Sequence, residues 1–364
     1  MKIAEIISAL ESLAHPSLQE SYDNAGLLTG NAAWECTGII CSLDATEAVV
    51  EEAVAKKCNL VVAHHPIVFG GLKKLNGSNY VEKTVIRAIK EDVAIYAIHT
   101  NLDNVLNGVN GRIAGMLGLQ NTTVLAEKSG TLMKLFTFVP LLHAETVRLA
   151  LFEAGGGHIG NYSECSFNSE GLGTYKGGDQ SNPFAGTRGI QHQEQEVKME
   201  VIFPGFLQSK LVQALKAAHP YEEVAYDVVA LGNTHSGLGA GVVGELGEGL
   251  TEAAFLARLK EVFGVPMVRH TALTGRMIKK IAVCGGAGSF LISKALAAGA
   301  DAYVTADLKY HEFFDANDRL LLADIGHYES EQFTISLLQE YLATKFPTFA
   351  VLKTGVRTNP VFYS

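Results

Sequence analysis

Three shortages narrow the possibilities before any motif is read. Cysteine is scarce, with five in 364 residues, and Cys36, Cys41, Cys58, Cys165 and Cys284 show no Cys-x-x-Cys spacing. An odd, scattered set argues against a disulfide framework. The cysteines read as small buried hydrophobes, and a reducing cytoplasm is the expected setting. Long hydrophobic runs are also missing: none reaches the roughly 18 apolar residues that a membrane-spanning helix needs. The opening stretch MKIAEIISALESLA carries Glu5 and Glu11 inside its apolar periodicity, which fits an amphipathic helix and not a signal peptide. Positive charge is the third shortage. Lys and Arg total 29 against 38 Asp and Glu, a net charge of −9, so no global basic field exists to hold nucleic acid or an anionic membrane. An anionic substrate would need local positive charge, and metal ions are one way to supply it.

What is present suits a folded chain of two or three domains, with 48% hydrophobic and 18% charged residues. Strand-like and helix-like segments alternate early, as TGIICSL then ATEAVVEEAVAKK, NLVVAHH then NYVEKTVIRAIKED, and VAIYAIH then GVNGRIAGMLG. The alternation returns late in KKIAVCGG, SFLISKALAAG, DAYVTA, RLLLADIGH and ESEQFTISLLQEYLATK. Continuous apolar strands between amphipathic helices indicate α/β architecture with a mostly parallel sheet covered on both faces. From about Leu132 to Leu231 the order changes to strand, helix, strand, strand, helix, strand, that of a ferredoxin-like split βαβ unit. We read this α+β segment as an insertion, with GLGTYKGGDQSNPFAGTRG inside it as an exposed glycine-rich loop.

In open parallel sheets, ligand sites form at the carboxyl ends of strands. There the sequence places VVAHHPIVFGG with His64 and His65, HTNLDN with His99, Asn101 and Asp103, and RLLLADIGH with His327, four residues before Glu331. If His327 opens a helix, it and Glu331 lie one turn apart on one face. His64, His65, Asp103, His327 and Glu331 exceed what one four-coordinate catalytic zinc uses. Two metal ions sharing a bridging carboxylate account for all five. Nitrogen and oxygen ligands suit zinc, iron or manganese without choosing among them. The positive excess would bind an anionic group and lower the pKa of a bound water. His99 is a candidate for a substrate or supporting role, and His311 in DLKYHEF is a candidate proton carrier. His15, His143, His158, His192, His235 and His270 stand alone and read as ordinary surface or core groups. CGGAGS at 284–289 is either an anion cradle or a tight turn. HPYEE at 219–223 is an exposed turn, a subunit contact or a second metal site.

SYDNAGLLTG, AHHPIVFGGLK, HTNLDN, VCGGAGS and GHYESEQF, in that order, resemble the signature stretches of the NIF-three-like family, the GTP cyclohydrolase 1 type 2 homologues. GGGHIGNYSECSF and AHPYEEVAYDVVAL resemble the PII/CutA-like domain inserted in its long bacterial members. The resemblance implies a two-part, three-layer α/β metal-binding domain over 1–127 and 238–364, interrupted by the ferredoxin-fold insertion over 128–237. It implies two divalent metal ions per subunit, with His65 and Asp103 on one, His64 and His327 on the other, and Glu331 bridging. It also implies a homohexameric toroid with no membrane or nucleic-acid partner, acting on a small molecule or nucleotide. The implied reaction is hydrolytic opening of the guanine imidazole ring of GTP with release of formate. A metal-dependent phosphoesterase and a non-catalytic metal-loaded regulatory or scaffold ring are the alternatives. One departure is VTADLKYHEF, where relatives commonly carry Gly then Glu or Asp in place of Ala306 and Asp307.

Overall fold

The apolar runs of the first hundred residues form a sheet buried on both faces. In the computed structural model, which describes residues 1–363, these strands are Gly26–Thr29 (β1), Ile39–Asp44 (β2), Leu60–His65 (β3) and Ala94–Ala97 (β4). The order across the sheet is β1, β4, β3, β2, then Val351–Lys353 from the far end of the chain. All are parallel except β1. Ile39 and Cys41 of β2, with Leu60 and Val62 of β3, join one apolar cluster, while Ile40, Val61 and Ala63 join another. Both faces being dry is why β2 and β3 read as nearly continuous apolar runs, with fully buried Ser42 the one polar residue before their carboxyl ends. The helices Glu47–Ala55 and Tyr80–Lys90 cover the second face through Val49, Val50, Ala53, Val85 and Ala88.

The late alternation builds its own sheet of six strands, ordered Arg269–His270, Leu321–Asp324, Ala302–Ala306, Met277–Ala287, Gly239–Thr251 and Gln120–Glu127. Leu321–Asp324, Ala302–Ala306 and Met277–Ala287 are parallel, whereas Arg269–His270 runs antiparallel to Leu321–Asp324 and Gly239–Thr251 antiparallel to Met277–Ala287. The inner faces of the two sheets share one core. Leu60 and Val62 from the first and Ile281, Val283 and Val304 from the second pack with the helices Ile3–Leu13, Val109–Leu117, Glu252–Phe263 and Thr334–Lys345. This arrangement directs the carboxyl ends of β3, β4 and Leu321–Asp324 to one place.

Met1–Ala126 and Gly237–Ser364 form one compact unit, and Glu127–Ser236 forms another. In the latter, Phe167–Lys176, Gln191–Pro204, Leu132–Pro140 and Tyr226–Ala230 make an antiparallel sheet in that order, the ferredoxin-like topology. The helices Ala144–Glu153 and Gln208–Ala218 pack Val147, Leu151, Leu211 and Leu215 against Leu135, Met199, Val201 and Phe203. The exposed loop expected from residue 171 begins only after Lys176. Gly171 and Gly173 are strand residues, paired with Glu196 and Glu194. A Cβ on Gly173 would overlap the Glu196 carboxylate, so this glycine marks a close approach within the sheet.

All five cysteines are free; Cys36, Cys41, Cys58 and Cys284 are buried as expected, but Cys165 is only partly so. Among the described residues no helix is long and apolar enough to cross a membrane.

Candidate metal centre

Three strand ends supply the side chains of the site. β3 runs out at His64 and His65, whose ring centroids lie 4.9 Å apart. β4 ends at Ala97, and the turn into the short helix Thr100–Asp103 delivers His99 and Asp103. After Leu321–Asp324 the chain turns through Gly326, at φ 90°, into the helix His327–Glu331. His327 and Glu331 then face each other one turn apart, with Nε2 3.1 Å from Oε2.

Every one of the four imidazoles is anchored through Nδ1 on an oxygen acceptor. His64 Nδ1 donates to the Ile98 carbonyl at 2.8 Å, His65 Nδ1 to Asp44 at 2.8 Å, His99 Nδ1 to Asp23 at 2.8 Å and His327 Nδ1 to Asp307 at 2.7 Å. A carbonyl accepts only, as does a carboxylate, so the hydrogen sits on Nδ1 and Nε2 is the position left for a cation. His65 Nε2 lies 2.9 Å from Glu331 Oε2 and 3.4 Å from His327 Nε2. His64 Nε2 lies 3.7 Å from Asp103 Oδ1 and 4.0 Å from Glu331 Oε1. His64 Nε2 and Asp103 Oδ1 are buried with no hydrogen-bond partner. Two orphaned electron-pair donors facing each other in the interior are costly unless something electropositive lies between them.

The electrostatics of the metal-free chain point the same way. Burial holds the His64 imidazole neutral, down at about 3. Burial also opposes charge on His65 and His327, but hydrogen bonds to Asp44 and Glu331 raise His65 to about 9, and those to Asp307 and Glu331 raise His327 to about 11. Glu331 is pulled well below the usual carboxylate range because hydrogen bonds from His327 and His65 outweigh its burial. Asp103 is pushed well up by burial and by the Glu331 charge. Two carboxylates this close need cations, and the metal-free chain has only protons for the purpose.

The five residues expected as ligands are thus brought together, and their ligand atoms fall into groups within 4.8 Å: His65, His327 and Glu331; His64, Asp103 and Glu331; and His64, His65 and His99. Glu331 is common to the first two. The partition reverses the one the resemblance implied: His64 sits with Asp103, and His65 with His327. His99 joins the cluster, its ring 5.2 Å from His64 and 5.3 Å from His65. His311 does not join it. It is exposed on the turn Tyr310–Ala316, its ring against Tyr310 and Phe314.

In CGGAGS two backbone amides are already engaged within the chain. Gly285 N donates to Asn110 Oδ1 at 2.9 Å and Gly286 N to Ser330 Oγ at 3.0 Å. Its glycines make room for Glu331, which a Cβ on Gly286 would overlap. HPYEE is no metal site at His219, whose Nε2 donates to the Phe138 carbonyl while Nδ1 accepts from Tyr221 N. Sequence reading missed Asp23, Asp44 and Asp307 as anchors. Each stands at a place where a signal existed: Asp23 inside SYDNAGLLTG, Asp44 at the end of β2 opposite His65, and Asp307 just beyond Ala302–Ala306.

Comparison with known proteins is consistent along the whole chain. The model of the family Duf34/NIF3 (NGG1p interacting factor 3) matches residues 1–360. A "GTP cyclohydrolase 1 type 2 homolog" of Halalkalibacterium halodurans is 39% identical over 368 residues, covering 99% of each chain. One from Bacillus subtilis is 38% identical, covering 89% of this chain and 87% of the relative. A solved Bacillus cereus protein related to NIF3 superposes with a TM-score of 0.88 at 38% identity, covering 100% of this chain and 99% of the other.

Proposed function

Because the chain belongs to the Duf34/NIF3 (NGG1p interacting factor 3) family, we propose that it is a dinuclear-metal-dependent hydrolase, a GTP cyclohydrolase 1 type 2 homologue that opens the guanine imidazole ring of GTP and releases formate. One observation carries the metal reading. His64 Nε2 and Asp103 Oδ1 are buried and unpartnered 3.7 Å apart, beside three further imidazoles whose Nδ1 atoms are already committed. His64, Asp103 and Glu331 would hold one ion, and His65, His327 and Glu331 the other. The nitrogen and oxygen donors suit zinc, iron or manganese. Bound ions would supply positive charge for an anionic substrate and lower the pKa of a water to give a nucleophile at neutral pH. The substrate class rests on the names of the relatives.

The chain's own residues do the positioning. Asp44, Asp307 and the Ile98 carbonyl fix the ring planes and tautomers of His65, His327 and His64. Asp23 accepts from His99 Nδ1, from Thr100 N at 3.0 Å and from Thr100 Oγ1 at 2.5 Å, so His99 is held rigidly. With its Nδ1–H committed, His99 Nε2 is the atom that can take up a proton and return it. We include assembly as a homohexamer in this reading, which light scattering would report as a particle of six chains.

Incubating metal-loaded protein with GTP tests the reaction. Formate release, abolished in His65→Ala with the fold intact, is the expected result. Inorganic phosphate or a nucleoside in place of formate would make the chain a phosphoesterase. No turnover of GTP or of a panel of nucleotides and phosphoesters would make it a regulatory or scaffold protein. Fewer than one transition ion per chain after reconstitution would overturn the metal reading itself.

A further inference from the structure

We propose that the inserted unit contains a binding site for a small organic cation carrying a planar ring. The site is a cavity of about 700 Å³ lined entirely by residues of that unit, within the roughly 300–1,000 Å³ typical of small-molecule pockets. A cluster of aromatic rings forms part of its lining. The Tyr221 ring lies 5.9 Å from Tyr175 and 6.0 Å from Phe184, centroid to centroid. Glu196, a residue only 8% exposed, also lines the cavity. Glu196 accepts from the Tyr221 hydroxyl at 2.8 Å and has no ion pair among the described residues. Lys198, the cation nearest in sequence, is engaged elsewhere, with Nζ 3.0 Å from Glu200 and 4.6 Å over the Phe136 ring.

A buried carboxylate without a counter-ion is expensive, and aromatic faces present negative quadrupole to whatever enters. Both features select a cation. Four lining carboxylates, Glu170, Glu196, Glu222 and Glu223, against Lys176 and Lys198 reinforce the choice. The close approach at Gly173 belongs to the same design, since any side chain there would displace the Glu196 carboxylate. One wall is a strap, residues 177–190, held across the cavity by few bonds. Tyr175 Oη donates to the Ala185 carbonyl at 2.8 Å, and Asn182 N donates to Glu222 Oε1 at 2.6 Å. Phe184 rides on this strap and is 53% exposed, so a ligand beneath it would bury ring surface that water now covers. The proposal is independent of the metal cluster and stands whether or not the chain is a hydrolase.

Calorimetric titration of the full-length protein with benzamidinium, benzamide and benzoate tests it. Benzamidinium should bind saturably, one per chain, with benzamide about tenfold weaker or worse and benzoate not binding. That ratio corresponds to about 1.4 kcal/mol, within reach of cation–π contacts plus a desolvated charge. Glu196→Gln should lower benzamidinium affinity to the level of benzamide. Phe184→Ala, at a solvent-facing position, should weaken it about three- to tenfold and keeps the test open should Glu196→Gln fail to fold. His65→Ala should leave it unchanged. No saturable binding, equal affinity for the charged and neutral probes, unchanged binding in folded Glu196→Gln or Phe184→Ala, or loss in His65→Ala would each overturn the proposal.

Discussion

Gly286→Ala should cost this protein its metal site more than its fold. Gly286 sits at φ 62°, a conformation that costs an L side chain about 1–2 kcal/mol. A methyl group there would also overlap Glu331 Oε1 and stand 3.3 Å from His327 Cε1. Glu331 cannot retreat. It is 3% exposed, so the overlap is relieved by the carboxylate swinging away from His65 and His327. Gly264→Ala separates the two effects. Gly264 ends the helix Glu252–Phe263 at φ 65° with open space where the methyl would go, so it pays the backbone cost alone. Urea unfolding should show Gly264→Ala destabilised by about 1–2 kcal/mol and Gly286→Ala by at least that much. Elemental analysis and calorimetric metal titration should show Gly264→Ala loading like the parent and Gly286→Ala losing at least the roughly 10–100-fold that outer partners of metal ligands command. Equal metal affinity in the two variants would refute the claim that this glycine exists to admit Glu331.

Metal loading should release protons. In the metal-free chain His65 titrates at about 9 and His327 at about 11, so both carry a proton at pH 7 that a cation at Nε2 must displace, while His64, at about 3, gives none. Apparent affinity should therefore rise about a hundredfold per pH unit near neutrality, and about tenfold per unit once pH passes the His65 value; Asp103, with its raised pKa, can only add to the count. Titrations in buffers of different ionisation enthalpy measure that number, and a value near zero at pH 7 would contradict the anchoring scheme. Asp307→Gly removes the acceptor of His327 Nδ1 but relieves a residue at φ 56°, so metal affinity should fall about 10–100-fold with no loss of thermal stability; unchanged affinity would show that Asp307 does not hold the ring. His311→Ala should leave metal content and any turnover within about twofold of the parent, as expected of an exposed residue on a surface turn, and a large loss of turnover would return His311 to the site.

The residues that touch the proposed ions were legible because strand ends and short spacings constrain them. His64 and His65 close an apolar strand, and His327 and Glu331 are one helical turn apart, so their convergence needed only the rule that α/β sites gather at carboxyl edges. Which histidine shares Glu331 with which partner was not legible. It depends on where β3 stops pairing with its neighbours: Ala63 is the last residue opposite β4, but His65 still lies opposite Asp44 of β2. That register turns His65 toward Asp44 and leaves His64 against the Ile98 carbonyl. The insertion's topology could be read from its order of elements, and its cavity could not, because Glu196, Tyr221 and Phe184 come from different segments of that order.

Two glycines do work that their sequence context does not suggest, for a physical reason. In sequence, a glycine-dense stretch says only that the backbone is free, and loops and phosphate-binding turns are the common uses of that freedom. Gly286 and Gly173 use instead the missing Cβ. Each lies in a strand, and each would collide with a carboxylate, Glu331 in one unit and Glu196 in the other. A buried carboxylate needs partners close enough to offset its lost hydration, and bulk on the neighbouring strand would hold it away from them. A strand glycine facing an acidic residue therefore marks where a chain has cleared space for a charge, and in this protein both proposed cation sites have one.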